Sequence, residues 1–170
     1  MLVINLIAGP GAGKSTSAGI LFGLMKMANE KVELVQEYAK DKTYEQDWTA
    51  LDNQFMCAAQ QDQRLRRLLG HVDFCINDSA LPLGLAYAKA PFDKPWFTDA
   101  VWGLYDTYSN FNVFIERVKP FQQYGRAHNE AESREKDEEL KAIFAGRINL
   151  TVPGDAAAGA VIYEAIKRLS

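Results

Sequence analysis

The sequence predicts an α/β fold: a three-layer sandwich in which helices cover both faces of a five-stranded parallel sheet. Three observations lead there. Short apolar runs of strand length alternate with longer stretches of helical period. The runs are apolar at consecutive rather than alternate positions, as strands buried on both faces require. No repeat, low-complexity tract or Ser/Gly-rich linker interrupts the chain, so residues 1–170 read as one domain.

The first strand is Leu2–Ile7. The apolar run it belongs to has no basic segment ahead of it, as a signal peptide would. It is also far short of the roughly 20 residues that span a bilayer. The expectation is a buried strand in a cytoplasmic protein that has no membrane partner. A helix follows over Lys14–Asn29, with Ile20, Leu21, Leu24 and Met25 on one side. The second strand is Val32–Glu37. From Trp48, the positions Leu51, Phe55, Ala58, Leu65 and Leu69 predict one long helix ending near Gly70.

The third strand, Val72–Asn77, leads to Asp78 and a further segment, Ala80–Ala90. An aromatic-rich helix over Asp99–Ser109 precedes the fourth strand, Asn112–Arg117. Leu140, Ile143 and Phe144 mark another helix, and Ile148–Val152 is the fifth strand. Asp155 suits the N-cap of a last helix whose stripe is Val161, Ile162, Ala165, Ile166 and Leu169.

Composition excludes several classes. Hydrophobic residues at 48% and charged residues at 24% describe a folded globule rather than a disordered chain. Nineteen Lys and Arg against 22 Asp and Glu give a net charge of −3. A duplex-coating protein needs excess cations, so nucleic acid is not the favoured partner. Cys57 and Cys75 are too few for a disulfide framework or a four-thiolate zinc site. His71 and His128 lack metal-ligand spacing.

The chemistry is carried by Ala8-Gly9-Pro10-Gly11-Ala12-Gly13-Lys14-Ser15-Thr16, directly after the first strand. It fits the phosphate-loop pattern, with Ala8 in place of the leading glycine. Gly9, Gly11, Ala12, Gly13, Lys14, Ser15 and Thr16 are the candidate phosphate-binding residues. Glycines let such a loop wrap until successive amides point into one concavity, and the helix that follows adds its positive dipole end. Lys14 would neutralise the β- and γ-phosphates, and the Ser15 hydroxyl would ligate Mg²⁺. Asp78, where the third strand exits, would bind Mg²⁺ through water or accept a proton. The competing role for Asp78 is a helix cap for the segment after it.

With these residues the chain resembles the P-loop kinases of small molecules. It is similar to nucleoside and nucleotide kinases, to the ribosylnicotinamide kinase domain, and to phage-encoded kinase-like ATPases related to that domain. The resemblance implies strand order 2-3-1-4-5, ATP with Mg²⁺ as donor, and a nucleoside, nucleotide or related riboside as acceptor. It makes Glu37, in Val35-Gln36-Glu37-Tyr38-Ala39, the counterpart of the deoxynucleoside kinases' base, the competing role being a solvent-facing strand end.

It also makes the stretch around 118–137 a lid. Arg126 and Arg134 are its first candidates to balance charge on the transferring phosphoryl group, with Arg117 behind them. The plainer alternative for 128–139 is a solvated helix start. Thr151-Val152-Pro153-Gly154-Asp155 matches the turn beside the adenine. Two departures stand out: Asp78-Ser79 lacks the arginine of an Asp-Arg-Ser motif, and Tyr124-Gly125-Arg126 only approximates Asp-Gly-Thr-Arg.

Two other chemistries use such a loop, an acceptor-independent ATPase and a kinase acting on polynucleotide ends or modified bases in DNA. Asn-Lys-x-Asp, by which GTPases read guanine, is absent. Arg64, Arg66 and Arg67, or Gln60, Gln61 and Gln63, are candidates to grip an acceptor from the long helix. A helix must show a polar face somewhere, which is the simpler role for most of them.

Overall fold

The computed structural model describes residues 1–118 and 129–169. Its strands are β1 (Leu2–Ile7), β2 (Val32–Val35), β3 (Phe74–Asn77), β4 (Ser109–Glu116) and β5 (Leu150–Pro153). They form one sheet of order β2-β3-β1-β4-β5. Every pairing is parallel. The predicted sandwich and strand order are therefore both present. β1 lies at the centre, with Leu2 opposite Phe74 on one side and Ser109 on the other.

The continuous apolar run of β1 has a simple cause. Side chains alternate across the sheet, and both faces are covered. Ile4 and Leu6 join a core with Leu21 and Met25 of α1 (Lys14–Met27) and Ile162 and Ile166 of α7 (Ala158–Lys167). Val3 faces the other way, with Leu65, Phe97, Val101 and Tyr105, and Ile7 packs with Phe114, Leu140 and Phe144.

One polar residue interrupts that run. Asn5 is buried, and its Oδ1 accepts from Asn77 Nδ2 at 2.9 Å while its Nδ2 donates to Asn112 Oδ1 at 3.1 Å. Gln61 Nε2 extends the ladder by donating to Asn77 Oδ1 at 2.9 Å. Partnered in this way, the buried amides cross three strands and end at the edge of the cleft described below.

The predicted long helix after Trp48 is two helices, α3 (Trp48–Asp52) and α4 (Gln54–Arg66). The break is at Asn53, whose side chain accepts from Met56 N at 3.0 Å and starts α4 afresh. An Asn side chain that captures a nearby amide competes with helix continuation. A short helix that the periodicity did not predict, α2 (Tyr38–Tyr44), has no buried residue and so leaves no apolar stripe to read.

Residues Leu81–Tyr87 form a 3₁₀ turn. The aromatic helix α5 (Pro95–Tyr105) begins earlier than predicted because Pro95 suits the first helical position. Helix α6 (Glu130–Ile143) opens with a capping box between Asn129 and Glu132. Asp155 accepts from Ala157 N at 2.8 Å, in the turn ahead of α7 rather than at its N-cap.

Candidate functional site

The loop between β1 and α1 owes its shape to two glycines with left-handed backbone, Gly11 (φ 80°) and Gly13 (φ 114°). Gly13 immediately precedes α1. Ala8, where the pattern has glycine, is buried within the apolar core. The loop is also packed from behind. A β-carbon on Gly154 would lie 2.1 Å from the Ala12 carbonyl oxygen, so the turn after β5 seats directly on the loop.

Three strand ends converge in front of it. Lys14 Nζ donates to the Ala8 carbonyl at 3.0 Å. Ser15 Oγ donates to Asp78 Oδ2 at 2.6 Å, and Lys40 Nζ lies 3.4 Å from the same hydroxyl. Asp78 N donates to Val35 O at 3.0 Å, tying the exit of β3 to the end of β2. Asp78 does not cap the 3₁₀ turn, which has no side-chain cap. Glu37, half-buried, is the N-cap residue of α2.

Burial pushes the Asp78 carboxyl above its ordinary range, against the pull of Lys14, the Ser15 hydrogen bond and Lys40. Burial likewise raises Glu37; Lys14 opposes it, Asp78 adds to it, and Lys40 and the Ser79 hydroxyl pull it down. Lys14, Ser15, Glu37, Lys40 and Ser79 line a cleft of about 830 Å³ together with Gln54 and Tyr87, while Asp78 lines an adjoining recess that shares Ser15 and Lys40 with it. That is room for a nucleotide-sized ligand, at the carboxyl ends of the strands where α/β sheets place their sites.

The oxygen donors suit Mg²⁺. Asp78 Oδ1 is buried without a hydrogen-bond partner, next to the Ser15 hydroxyl. Among the described residues no group of three or more His, Cys, Asp or Glu would hold a metal by itself. An ion here would complete its shell with phosphate oxygens and water, as Mg²⁺ does at such sites.

Other predicted residues have different surroundings. Gly9 does not offer its amide to a ligand, because its N–H donates to Asp137 Oδ1 at 2.6 Å. Arg134 is exposed and paired with Glu130 at 2.8 Å, and it is not among the residues lining the cleft. Arg117 is buried against Asp137. Arg126 lies outside the described residues.

Gln61 lines the cleft, but its amide is committed: Nε2 donates to Asn77 Oδ1 and Gln36 O, and Oε1 accepts from Tyr38 N. It anchors the start of α2 beside Glu37. Arg64 is bound to Gln36 O and Asp41, and Arg66 to Asp62. Sequence reasoning missed Lys40, Gln54 and Asp137. Lys40, three residues after Glu37, carries a signal in hindsight, while Asp137 is hidden in an acidic run that reads as solvated surface.

A family model described as an AAA domain matches residues 3–152. The chain belongs to that family. Within this AAA-domain protein the loop, the sheet order and the exit carboxylate form the P-loop kinase fold. Its structure is similar to deoxyadenosine kinase from M. mycoides. With the products dCMP and a flexible dCDP bound, that enzyme matches at TM-score 0.59 and 16% identity, over 98% of each chain. With dCTP bound, it matches at 0.56 and 14% identity, over 99% of this chain and all of that one. At such identity the likeness establishes the fold. No curated protein sequence matches this AAA-domain chain. Among the described residues no helix is long and apolar enough to cross a membrane.

Proposed function

We propose that this protein transfers the γ-phosphoryl group of ATP to a hydroxyl of a nucleoside-class small molecule, with Mg²⁺. The observation that carries the reading is the convergence of Lys14, Ser15 and Glu37 on one cleft of about 830 Å³, with Asp78 held against Ser15 at its edge. The likeness to a deoxyadenosine kinase supports the choice of acceptor class.

Loop amides and Lys14 would hold the triphosphate, and Ser15 with Asp78 would hold Mg²⁺, which screens the phosphate charge. The acceptor oxygen attacks the γ-phosphorus in line, and the bond to the β–γ bridging oxygen breaks as ADP leaves. Glu37 takes the acceptor's hydroxyl proton. Its raised pKa brings it nearer the operating pH, which suits a general base. Lys40, beside Ser15, supplies a second cation for the charge on the transferring group.

The test is a thermal-shift screen of deoxynucleosides, ribonucleosides, their monophosphates and nicotinamide riboside, each with and without a non-hydrolysable ATP analogue and Mg²⁺. The proposal expects one class to stabilise the protein more with the analogue than without it. The AAA-domain description favours a second reading, ATP hydrolysis without an acceptor. Stabilisation by the analogue alone, with ATP turnover that no candidate acceptor changes, would select that reading.

A further inference from the structure

Two residues outside the phosphate-loop motif close on its first glycine. Asp137 of α6 accepts the Gly9 N–H on Oδ1 at 2.6 Å and Arg117 Nε on Oδ2 at 3.0 Å. The Arg117 side chain, just beyond β4, is 3% exposed, and that of Asp137 is 11% exposed. Arg117 also reaches the Ser133 carbonyl at 3.5 Å, and its Nη1 is buried without a hydrogen-bond partner. The packing requires glycine at position 9. A β-carbon there would lie 2.5 Å from Ser133 O and 2.8 Å from Asp137 Oδ1.

The arrangement sets a buried negative charge against a loop built to collect anions. Like charges about 10 Å apart at an effective dielectric near 20 cost about tenfold in affinity. The Arg117 guanidinium, in contact with the same carboxylate, cancels that field at its source.

We infer that Asp137 and Arg117 are a positioning pair for the phosphate loop. The carboxylate pins the Gly9 amide, and the guanidinium lets it do so without lowering the loop's affinity for polyphosphate. The inference rests on the reading that this loop holds the phosphates of a nucleotide.

Opposite signs for the two single substitutions are what separate this role from ordinary structural support. Calorimetric titration of the full chain with ADP and with inorganic pyrophosphate would compare wild type, R117M, D137N and R117M/D137N, with thermal melts to establish folding. R117M should bind about tenfold more weakly, and the gap should narrow as salt is raised. D137N, whose amide oxygen still accepts from Gly9, should bind at least as tightly as wild type. The double variant should return to within about twofold of it.

Weaker binding by D137N, or a double variant weaker than R117M, would overturn the inference. So would three variants that bind like wild type. If R117M fails to fold, D137N and the double variant decide by the same criteria. A folded wild-type chain that binds neither ligand would instead overturn the reading of the loop itself, and the pair's role with it.

Discussion

Ser15 Oγ and Asp78 Oδ2 lie 2.6 Å apart although 63 positions separate them in sequence. The sheet order brings them together. Because β3 is the neighbour of β1, the residue leaving β3 emerges beside the loop that leaves β1. β2 lies on the far side of β3, so Glu37 arrives from the same direction. A donor site and a candidate base thus share one cleft through topology alone.

The Asp78 carboxylate is buried with one oxygen unpartnered, an unfavourable state for an empty protein and a useful one for a cation site. Its folded pKa is raised, so its contribution to stability is fully present at acid pH and is lost as pH climbs through the raised value. Asp78→Asn should therefore melt higher than wild type at pH 8, by about 2–4 °C for each kcal/mol recovered. Phosphoryl transfer should fall by about 100-fold or more. Parallel thermal melts and turnover assays at pH 8 check both, and a variant that melts lower would contradict the assignment.

Lys14 is half-buried and donates to the Ala8 carbonyl. Its charge offsets the burial of Asp78 and Glu37, so its removal should lower the melting temperature at pH 8. Lys14→Ala should also cost about 3–4 kcal/mol of transition-state stabilisation, roughly 100- to 1,000-fold in kcat/KM. Steady-state kinetics beside a melting curve separates the two effects.

Glu37 should appear in the pH profile. Its raised pKa places the acidic limb of kcat/KM above the ordinary value of 4.5. Activity is lost as pH falls through that limb, because the protonated carboxyl cannot accept a proton. Glu37→Gln should lower kcat by about 100-fold and change the shape of the limb, leaving the part set by Asp78. A profile of unchanged shape in that variant would assign the base elsewhere.

Glycines divide cleanly into those that are packed and those that are not. Gly154→Ala would place a methyl 2.1 Å from the Ala12 carbonyl and 3.0 Å from that of Glu116, both backbone atoms. A loss of about 1–3 kcal/mol is expected, with weaker nucleotide binding because the phosphate loop must shift. Gly23→Ala, within α1 with nothing within 4 Å of the added carbon, should gain about 0.5–1 kcal/mol. Chemical denaturation of both variants checks the contrast.

What was legible in the sequence followed from local physics. The phosphate loop could be read because strand, glycines and helix are contiguous. The five strands could be read because burial on both faces leaves nearly continuous apolar runs such as Leu2–Ile7, broken only at Asn5. Asn53 escaped because an Asx cap looks like any polar position on a helix face. Helix α2 escaped because it buries nothing. Asp137 escaped for a different reason: its acidic neighbours are solvated, and only the return of α6 onto Gly9 singles it out. Arg117 was read as a candidate for the phosphates, whereas it is bound to that same carboxylate. Pairings that close over more than a hundred residues leave no periodic trace.

The most direct measurement is transfer of labelled γ-phosphate from ATP to a panel of deoxynucleosides and ribonucleosides, by wild type and by Lys14→Ala, with an acceptor-free control. The expected result is a labelled monophosphate from at least one nucleoside, made by wild type and reduced at least 100-fold by the substitution. Label appearing only as inorganic phosphate, at one rate with and without every acceptor, would contradict the kinase reading. So would a transfer rate that Lys14→Ala leaves unchanged.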